Sequence, residues 1–206
     1  MSSRTGIPAD FLEALSSDME AEGFEIAGAS FREESFDGCI IRSSVIRSSD
    51  MSGVSFRGGA FTDVIFDGVD LSGADLSECL LSNVSFISSK LTGIHLSRCR
   101  IKKLIIEDCI CRYSSFDESA MADSRLSSSD FSSSSFSGMK ISSSSILQSE
   151  LSSSSFIRTG LASLDLSGCS IDGIALSEDL SEIKGAKLSF DQAITLIRGK
   201  GAVIAE

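Results

Sequence analysis

Val54-Ser55-Phe56-Arg57-Gly58-Gly59-Ala60-Phe61-Thr62-Asp63-Val64-Ile65-Phe66-Asp67-Gly68-Val69-Asp70-Leu71 carries a large apolar residue at every fifth position: Phe56, Phe61, Phe66 and Leu71. The spacing extends outward in both directions without an insertion or a skip. From Ile26, Phe31 and Phe36 to Leu166, Ile171 and Leu176 there are 31 such positions, all Leu, Ile, Phe or Met except Cys111. With 42% hydrophobic residues overall, chance gives such a run with a probability of about 10⁻¹².

A period of five suits neither regular element alone. On an α-helix five residues advance about 500°, so each repeat drifts about 140° around the axis. On a flat strand consecutive repeats would face opposite sides. A chain that turns one corner per repeat escapes both problems. With the apolar residue called i, position i−2 is mostly small or apolar as well (Ala29, Cys39, Val54, Val64, Val69, Ala74), and glycine recurs at i+2 (Gly38, Gly53, Gly58, Gly68, Gly73). Positions i−2 and i then point inward, and i+2 supplies a corner that favours positive φ.

The pattern resembles the pentapeptide-repeat family, whose signature is A(D/N)LXX. It stands most plainly as Ala74-Asp75-Leu76-Ser77-Glu78, with relatives in Val69-Asp70-Leu71-Ser72-Gly73 and Leu164-Asp165-Leu166-Ser167-Gly168, and covers about 150 of the 206 residues. The resemblance implies an all-β fold, a right-handed quadrilateral β-helix with four repeats per 20-residue coil and about eight coils. At a strand spacing of about 4.8 Å the rod would be roughly 37 Å long. One of its four faces would stack Phe36, Phe56, Leu76, Leu96, Phe116, Phe136, Phe156 and Leu176 as a nearly continuous aromatic ladder.

The chain divides into an N-terminal helical cap (1–25), the β-helix (26–178) and a C-terminal segment (179–206). Residues 8–20 read as an amphipathic helix with Pro8 at its first position and Phe11, Leu12 and Leu15 on the sealing side. Ser189 and Gln192 have the spacing of a capping box, opening a helix that runs to about Arg198 and stops at Gly199, with a short strand in Ala202–Ala205. Phe190, Ile194, Ile197, Val203 and Ile204 offer more apolar surface than a lid needs. In free-standing family members the C-terminal segment makes a two-fold dimer, and the resemblance implies the same homodimer here.

The formal net charge is −11. Residues 1–25 hold one Arg against six acids, and residues 26–176 hold 13 basic against 18 acidic residues. The rod is therefore only mildly acidic and lacks the strong basic surface of a direct nucleic-acid binder. The sequence has neither a signal-like apolar segment nor an apolar run of membrane-spanning length, so a cytoplasmic protein is expected. Of six cysteines, five lie at i−2 and Cys111 at i, where they act as small core residues. Cys79 and Cys99 fall one coil apart, but CxxC spacing is absent and His95 points outward, so neither a disulfide nor a metal site is expected. No cofactor motif occurs.

Three surface features stand out. Position i−1 on one face reads Ser30, Asp50, Asp70, Lys90, Ile110, Asp130, Glu150, Ser170, with Asp63, Asp67 and Glu107 assigned as flanking acids. In the family, acidic faces mimic duplex DNA and engage type II topoisomerases, and the resemblance implies DNA gyrase or topoisomerase IV as a partner. An apolar strip joins Val45, Ile65, Ile105, Ile87 and Leu147 on one face to Ile40 and Leu80 on the next. It suits an unrelated protein partner and a scaffold role. The basic run Arg98, Arg100, Lys102 and Lys103 is expected to pair with acids of adjacent coils. Glu34 occupies an inward i−2 position. The serines read as turn and strand-surface residues with no base beside them, so the chain is not expected to be an enzyme.

Overall fold

The computed structural model describes residues 9–199, 201 and 203. Every strand pairing within the coil joins a residue to the one 20 positions on, all in parallel. That offset yields four faces. Face A holds β1 (Glu20–Glu22), β3 (Ile40–Arg42), the first half of β5 (Ala60–Asp67) and of β6 (Leu80–Ile87), β7 (Arg100–Lys102), β9 (Ala120–Ala122) and β11 (Lys140–Ser142). Face B holds β2 (Glu25–Ala27), β4 (Val45–Arg47), the second halves of β5 and β6, β8 (Ile105–Glu107), β10 (Arg125–Ser127) and β12 (Ser145–Leu147). Faces C and D carry single bridges, Ser30 to Ser170 and Ser35 to Ala175.

Faces C and D each carry eight rungs, whereas A and B carry seven, six 20-residue steps. The expected eight coils are thus one too many on the strand-bearing faces. The register ends because the bridge Asp165–Lys187 spans 22 residues. At the other end the coil starts early, since Glu20 already pairs with Ile40.

The corner is the recurring local device. Position i+2 adopts positive φ almost throughout, in glycine (Gly73, φ 67) but also in Asp63 (φ 57), Asn83 (φ 56) and Lys103 (φ 56). A non-glycine residue there costs about 1–2 kcal/mol. Hydrogen bonds from the corner to the next coil offset it: the Gly73 N–H donates to the Thr92 carbonyl at 2.8 Å, and the Lys103 N–H to the Ala122 carbonyl at 3.0 Å. Gly59 is required for space instead, because a Cβ there would lie 2.9 Å from the Phe56 carbonyl oxygen and 3.0 Å from that of Cys39.

The core is one continuous column of buried side chains. Its aromatic ladder on face D is two segments rather than one: Phe36 stacks on Phe56 at 5.7 Å, and Phe116, Phe136 and Phe156 stack at 4.9 Å per step. Leu76 and Leu96, both fully buried, separate them. Position i−2 is also more polar than the apolar reading allowed. Ser44, Ser89, Ser114, Ser119, Ser134 and Ser154 are buried there, not on the surface. Each hydroxyl donates to a carbonyl or another hydroxyl, and several accept an N–H from the preceding coil, as Ser119 does from Cys99 at 2.8 Å. Glu34 departs the other way: although it stands at i−2, it is exposed.

The N-terminal cover is α1 (Ala9–Glu13) continued by one π-helical turn, Ala14–Asp18. It ends before the expected residue 20, at Met19 in the left-handed region (φ 57). Phe11 and Leu15 are buried, and the Phe11 ring packs edge-on against Phe24 and Phe31 at 5.2 and 5.6 Å. Pro8 lies outside the described residues.

At the far end α2 (Phe190–Gly199) opens on the capping box: the Ser189 N–H donates to Gln192 Oε1 at 2.7 Å, and the Gln192 N–H to Ser189 Oγ at 3.3 Å. Gln192 Nε2 also donates to the carbonyls of Leu166 and Cys169, tying the helix to the last coil. Phe190, Ile197 and Val203 are exposed and Ile194 is half-buried. Ile204, like Ala202 and Ala205 of the expected strand, lies outside the described residues.

Candidate interaction faces

Face C gathers the acidic stripe. The bridges run Ser30, Asp50, Asp70, Lys90, Ile110, Asp130, Glu150, Ser170, so Asp50 stands beside Asp70 and Asp130 beside Glu150, one rung apart. Each carboxylate is already engaged locally. Asp50, Asp70, Asp130 and Glu150 accept the N–H of the residue two positions on, at 2.9–3.1 Å, pinning the corner that follows. Asp75 and Asp165 do the same on other faces. The aspartate of the repeat is thus first a turn-forming residue.

The same carboxylates find cations. Arg32 lies 3.6 Å from Asp50, Lys90 3.1 Å from Asp70, and Arg112 pairs with Asp130. Burial is the largest influence on the Asp70, Asp130 and Glu150 carboxyls and pushes them up, yet the hydrogen bonds from Ser72, Ser132 and Ser152 outweigh it and hold all three below the usual range. The stripe is therefore ionised and largely neutralised by the chain's own cations, unlike a bare row of phosphates.

The flanking acids divide. Asp67 and Glu107 end strands of face B beside the corner into C, and Asp67 is 3.9 Å from Arg47. Asp63 sits at the corner between A and B, across face B from the stripe, where it accepts from Asn83 Nδ2 at 2.6 Å.

Faces A and B hold the apolar strip. Val45 registers with Ile65, and Ser85 separates Ile65 from Ile105. Ile65, Leu80, Ile105 and Leu147 are exposed, Leu80 to 50%, while Ile40, Val45 and Ile87 are half-buried. Leu147 lies two rungs below Ile105, beyond Ser127 and on the opposite edge of the face. The strip is therefore densest at Ile40, Val45, Ile65 and Leu80, where β5 and β6 cross from A to B without a break.

The basic run splits. Arg98 donates to Glu78 at 2.9 Å, in a cluster with Arg57 at 2.7 Å, but Arg100, Lys102 and Lys103 form no ion pair among the described residues. The neighbouring rungs account for Arg98, Arg100 and Lys102: Arg98 has Glu78 within reach one coil away, whereas Arg100 and Lys102 project from β7 on face A beside Leu80, Ser82, Ala120 and Ala122.

All six cysteines are buried free thiols. Burial pushes Cys39 up to about 12 and Cys99 and Cys109 to about 11, and raises Cys79 further, so they are poor nucleophiles. Cys79, Cys99, Cys109 and Cys169 serve as hydrogen-bonding spacers: the Cys99 thiol contacts the Leu76 carbonyl at 3.0 Å, matching Ser119 on Leu96 one coil below. Sequence reasoning missed Glu182, which is 3% exposed at the end of the coil. Its carboxylate accepts the Arg158 and Ser177 N–H groups and the Ser177 hydroxyl. Burial pushes this carboxyl up, but those hydrogen bonds prevail and hold it below its ordinary value. Its sequence signal is slight, since it lies beyond the last regular repeat. No helix among the described residues is long and apolar enough to cross a membrane.

A family profile described as a pentapeptide repeat region matches residues 59–130 and 80–156. Similar solved structures include full-length QnrB1, a plasmid-mediated fluoroquinolone resistance protein, with 17% identity over 88% of this chain and 100% of that one and a TM-score of 0.39. HetL, a pentapeptide-repeat protein involved in heterocyst differentiation regulation in Nostoc sp. strain PCC 7120, gives 14% over 89% and 97%, with a TM-score of 0.35. Rfr23 from Cyanothece 51142 gives 9% over 89% and 100%, with a TM-score of 0.33. These likenesses concern the fold alone. No curated protein matches the chain. The unbroken five-residue period, the 20-residue register and the profile match agree: residues 59–156 form a pentapeptide repeat region.

Proposed function

We propose that the protein is a non-catalytic rod that works by holding a protein partner against its side. The observation that carries this reading is the exposed apolar strip of Ile65, Leu80 and Ile105 on ordered strands of faces A and B. Such a strip on a regular, prepaired surface gains hydrophobic contact without an ordering cost. The test is site-specific photo-crosslinking from position 65 in cell extract, repeated on the Ile105→Lys variant. A single partner, lost in that variant, supports the strip; indifference to Ile105→Lys sinks it. The buried reduced cysteines fit a cytoplasmic setting. Phe190, Ile197 and the half-buried Ile194 suit a homodimer, which sedimentation would show falling to monomer on Phe190→Asp.

A second reading, modulation of DNA gyrase or topoisomerase IV by DNA mimicry, draws on the in-register pairs Asp50–Asp70 and Asp130–Glu150. Its weakness is the set of internal cations that neutralise the stripe. Mimicry requires inhibition of gyrase supercoiling, or protection from a quinolone, that Asp70→Lys abolishes. An assay flat across the whole titration removes this reading.

A further inference from the structure

Face A carries a groove of about 450 Å³ that runs along the rod from Leu80 to Lys140. Its walls follow the register: Leu80 stands beside Arg100, Arg100 beside Ala120, and Ala120 beside Lys140. In the neighbouring column Ser82, Lys102, Ala122 and Ser142 align. The two alanines of β9 thus leave a notch between the longer side chains of the adjacent rungs. Leu80, half exposed, closes one end.

The cations of the molecule divide into paired and unpaired. Arg32, Arg42, Arg47, Arg57, Lys90, Arg98 and Arg112 all find carboxylates of the coil. Arg100, Lys102 and Lys140 form no ion pair among the described residues, and neither do Lys103, Arg125, Arg158, Lys184 and Arg198; the first three are set apart because they line one groove together. Three uncommitted cations around a small apolar floor form a complementary surface, and the complement is an anion that brings apolar matter with it.

We propose that this groove receives an extended acidic segment of a protein partner, two carboxylates flanking an apolar residue in the pattern Glu-x-Leu-x-Glu. The inference rests on the reading of the protein as a partner-binding rod and gives that partner its chemistry. Arg100 and Lys140 are two rungs apart, about 9.6 Å, while residues i and i+4 of an extended strand lie on one side about 13 Å apart. The flexible stems of arginine and lysine take up the difference. The central residue then lies over Ala120. A phosphodiester strand fits less well, because the alanine floor offers its sugar-phosphate backbone no apolar partner.

The experiment is fluorescence anisotropy of a labelled Ser-Glu-Ser-Leu-Ser-Glu-Ser peptide with the full chain at low salt. Saturable binding is expected, weakened at least about tenfold by the double variant Arg100→Glu/Lys140→Glu and by raised salt. Ala120→Gln, at an exposed strand position, fills the notch without adding charge and has a similar effect while leaving the melting temperature unchanged. Absence of saturation, equal binding of the Glu→Gln peptide, or indifference to the double variant overturns the proposal. So does an oligothymidylate that binds in place of the peptide and is released by the same variant. Crosslinking at Ile65 with no peptide binding sinks the groove and leaves the rod; peptide binding without crosslinking upholds the groove and sinks the strip.

Discussion

The coils up to Leu104 and those that follow share one register but fill it differently. In the first set, inner position i−2 is mostly occupied by Val54, Val64, Val69, Ala74, Cys79, Val84 and Ile94; in the second, by Ser114, Ser119, Ser124, Ser129, Ser134, Ser149 and Ser154. Both sets are buried. On face D the column changes from Val54, Ala74 and Ile94 to Ser114, Ser134 and Ser154, and the serines bond across coils: Ser114 Oγ lies 2.9 Å from Ser134 Oγ, which donates to the Cys111 carbonyl at 2.8 Å. The site selects for small volume, and a hydroxyl is accepted because the neighbouring coil always presents a carbonyl or an N–H. Position i makes no such allowance.

The largest test of that contrast is Phe136→Ala. Phe136 is stacked between Phe116 and Phe156, and emptying the site should cost about 3–5 kcal/mol by urea denaturation. Because each coil is supported only by its neighbours, amide exchange should accelerate first in the coils around residue 136. A loss below about 1 kcal/mol would mean that position i tolerates vacancy as i−2 tolerates polarity.

A middle-sized effect is expected from exchanging the two fillings. Ser134→Val strands the Ser114 N–H, which donates to Ser134 Oγ at 3.1 Å, along with the hydroxyl contact, and should cost about 1–3 kcal/mol. Val54→Ser should cost less, because the equivalent Ser154 shows that a hydroxyl there reaches a carbonyl, Phe131, at 2.7 Å. If Ser134→Val stabilised the protein instead, the serine coils would be under-packed rather than hydrogen-bonded. Cys99→Ser should move stability by less than about 1 kcal/mol, since Ser119 makes the same contact one coil below. In the native protein the thiols should resist alkylation that modifies all six in denaturant.

These cases mark what the sequence makes legible. Spacing alone located Phe136 and the face of Asp70, through the five-residue period, and the capping box of Ser189 and Gln192, through its three-residue separation. Residue type does not separate the buried Ser134 from the exposed Ser133; only the i−2 register does. The unpaired Arg100 and Lys102 were hidden because pairing depends on which rung holds an acid, and the neighbours of β7 on face A carry Leu80, Ser82, Ala120 and Ala122. Glu182 was hidden because its bonds reach Arg158 and Leu161, 24 and 21 positions back, outside the 20-residue register.

The smallest effects concern the carboxylates that close corners and the end of the rod. Asp70, Asp130, Glu150 and Glu182 all have folded values held below their ordinary ones of 3.8 for Asp and 4.5 for Glu. A depressed folded value means that the unfolded chain takes up protons first. The stability these groups give is fully present above about pH 4.5 and is lost as the pH falls through the lower folded values. A urea midpoint flat from neutral pH to about 5 and falling below 4.5 is therefore expected. Glu182→Gln should reduce that fall, since it removes the titration while keeping one acceptor oxygen for the Arg158 N–H. Asp70→Asn sharpens the comparison between turn-former and charge. The amide oxygen can still accept from Ser72, so only the exposed Lys90 pair is lost, worth under about 1 kcal/mol. Asp70→Ala removes both and should cost more. Equal losses in the two variants would mean that the charge on face C, and not the corner it closes, is what the fold uses.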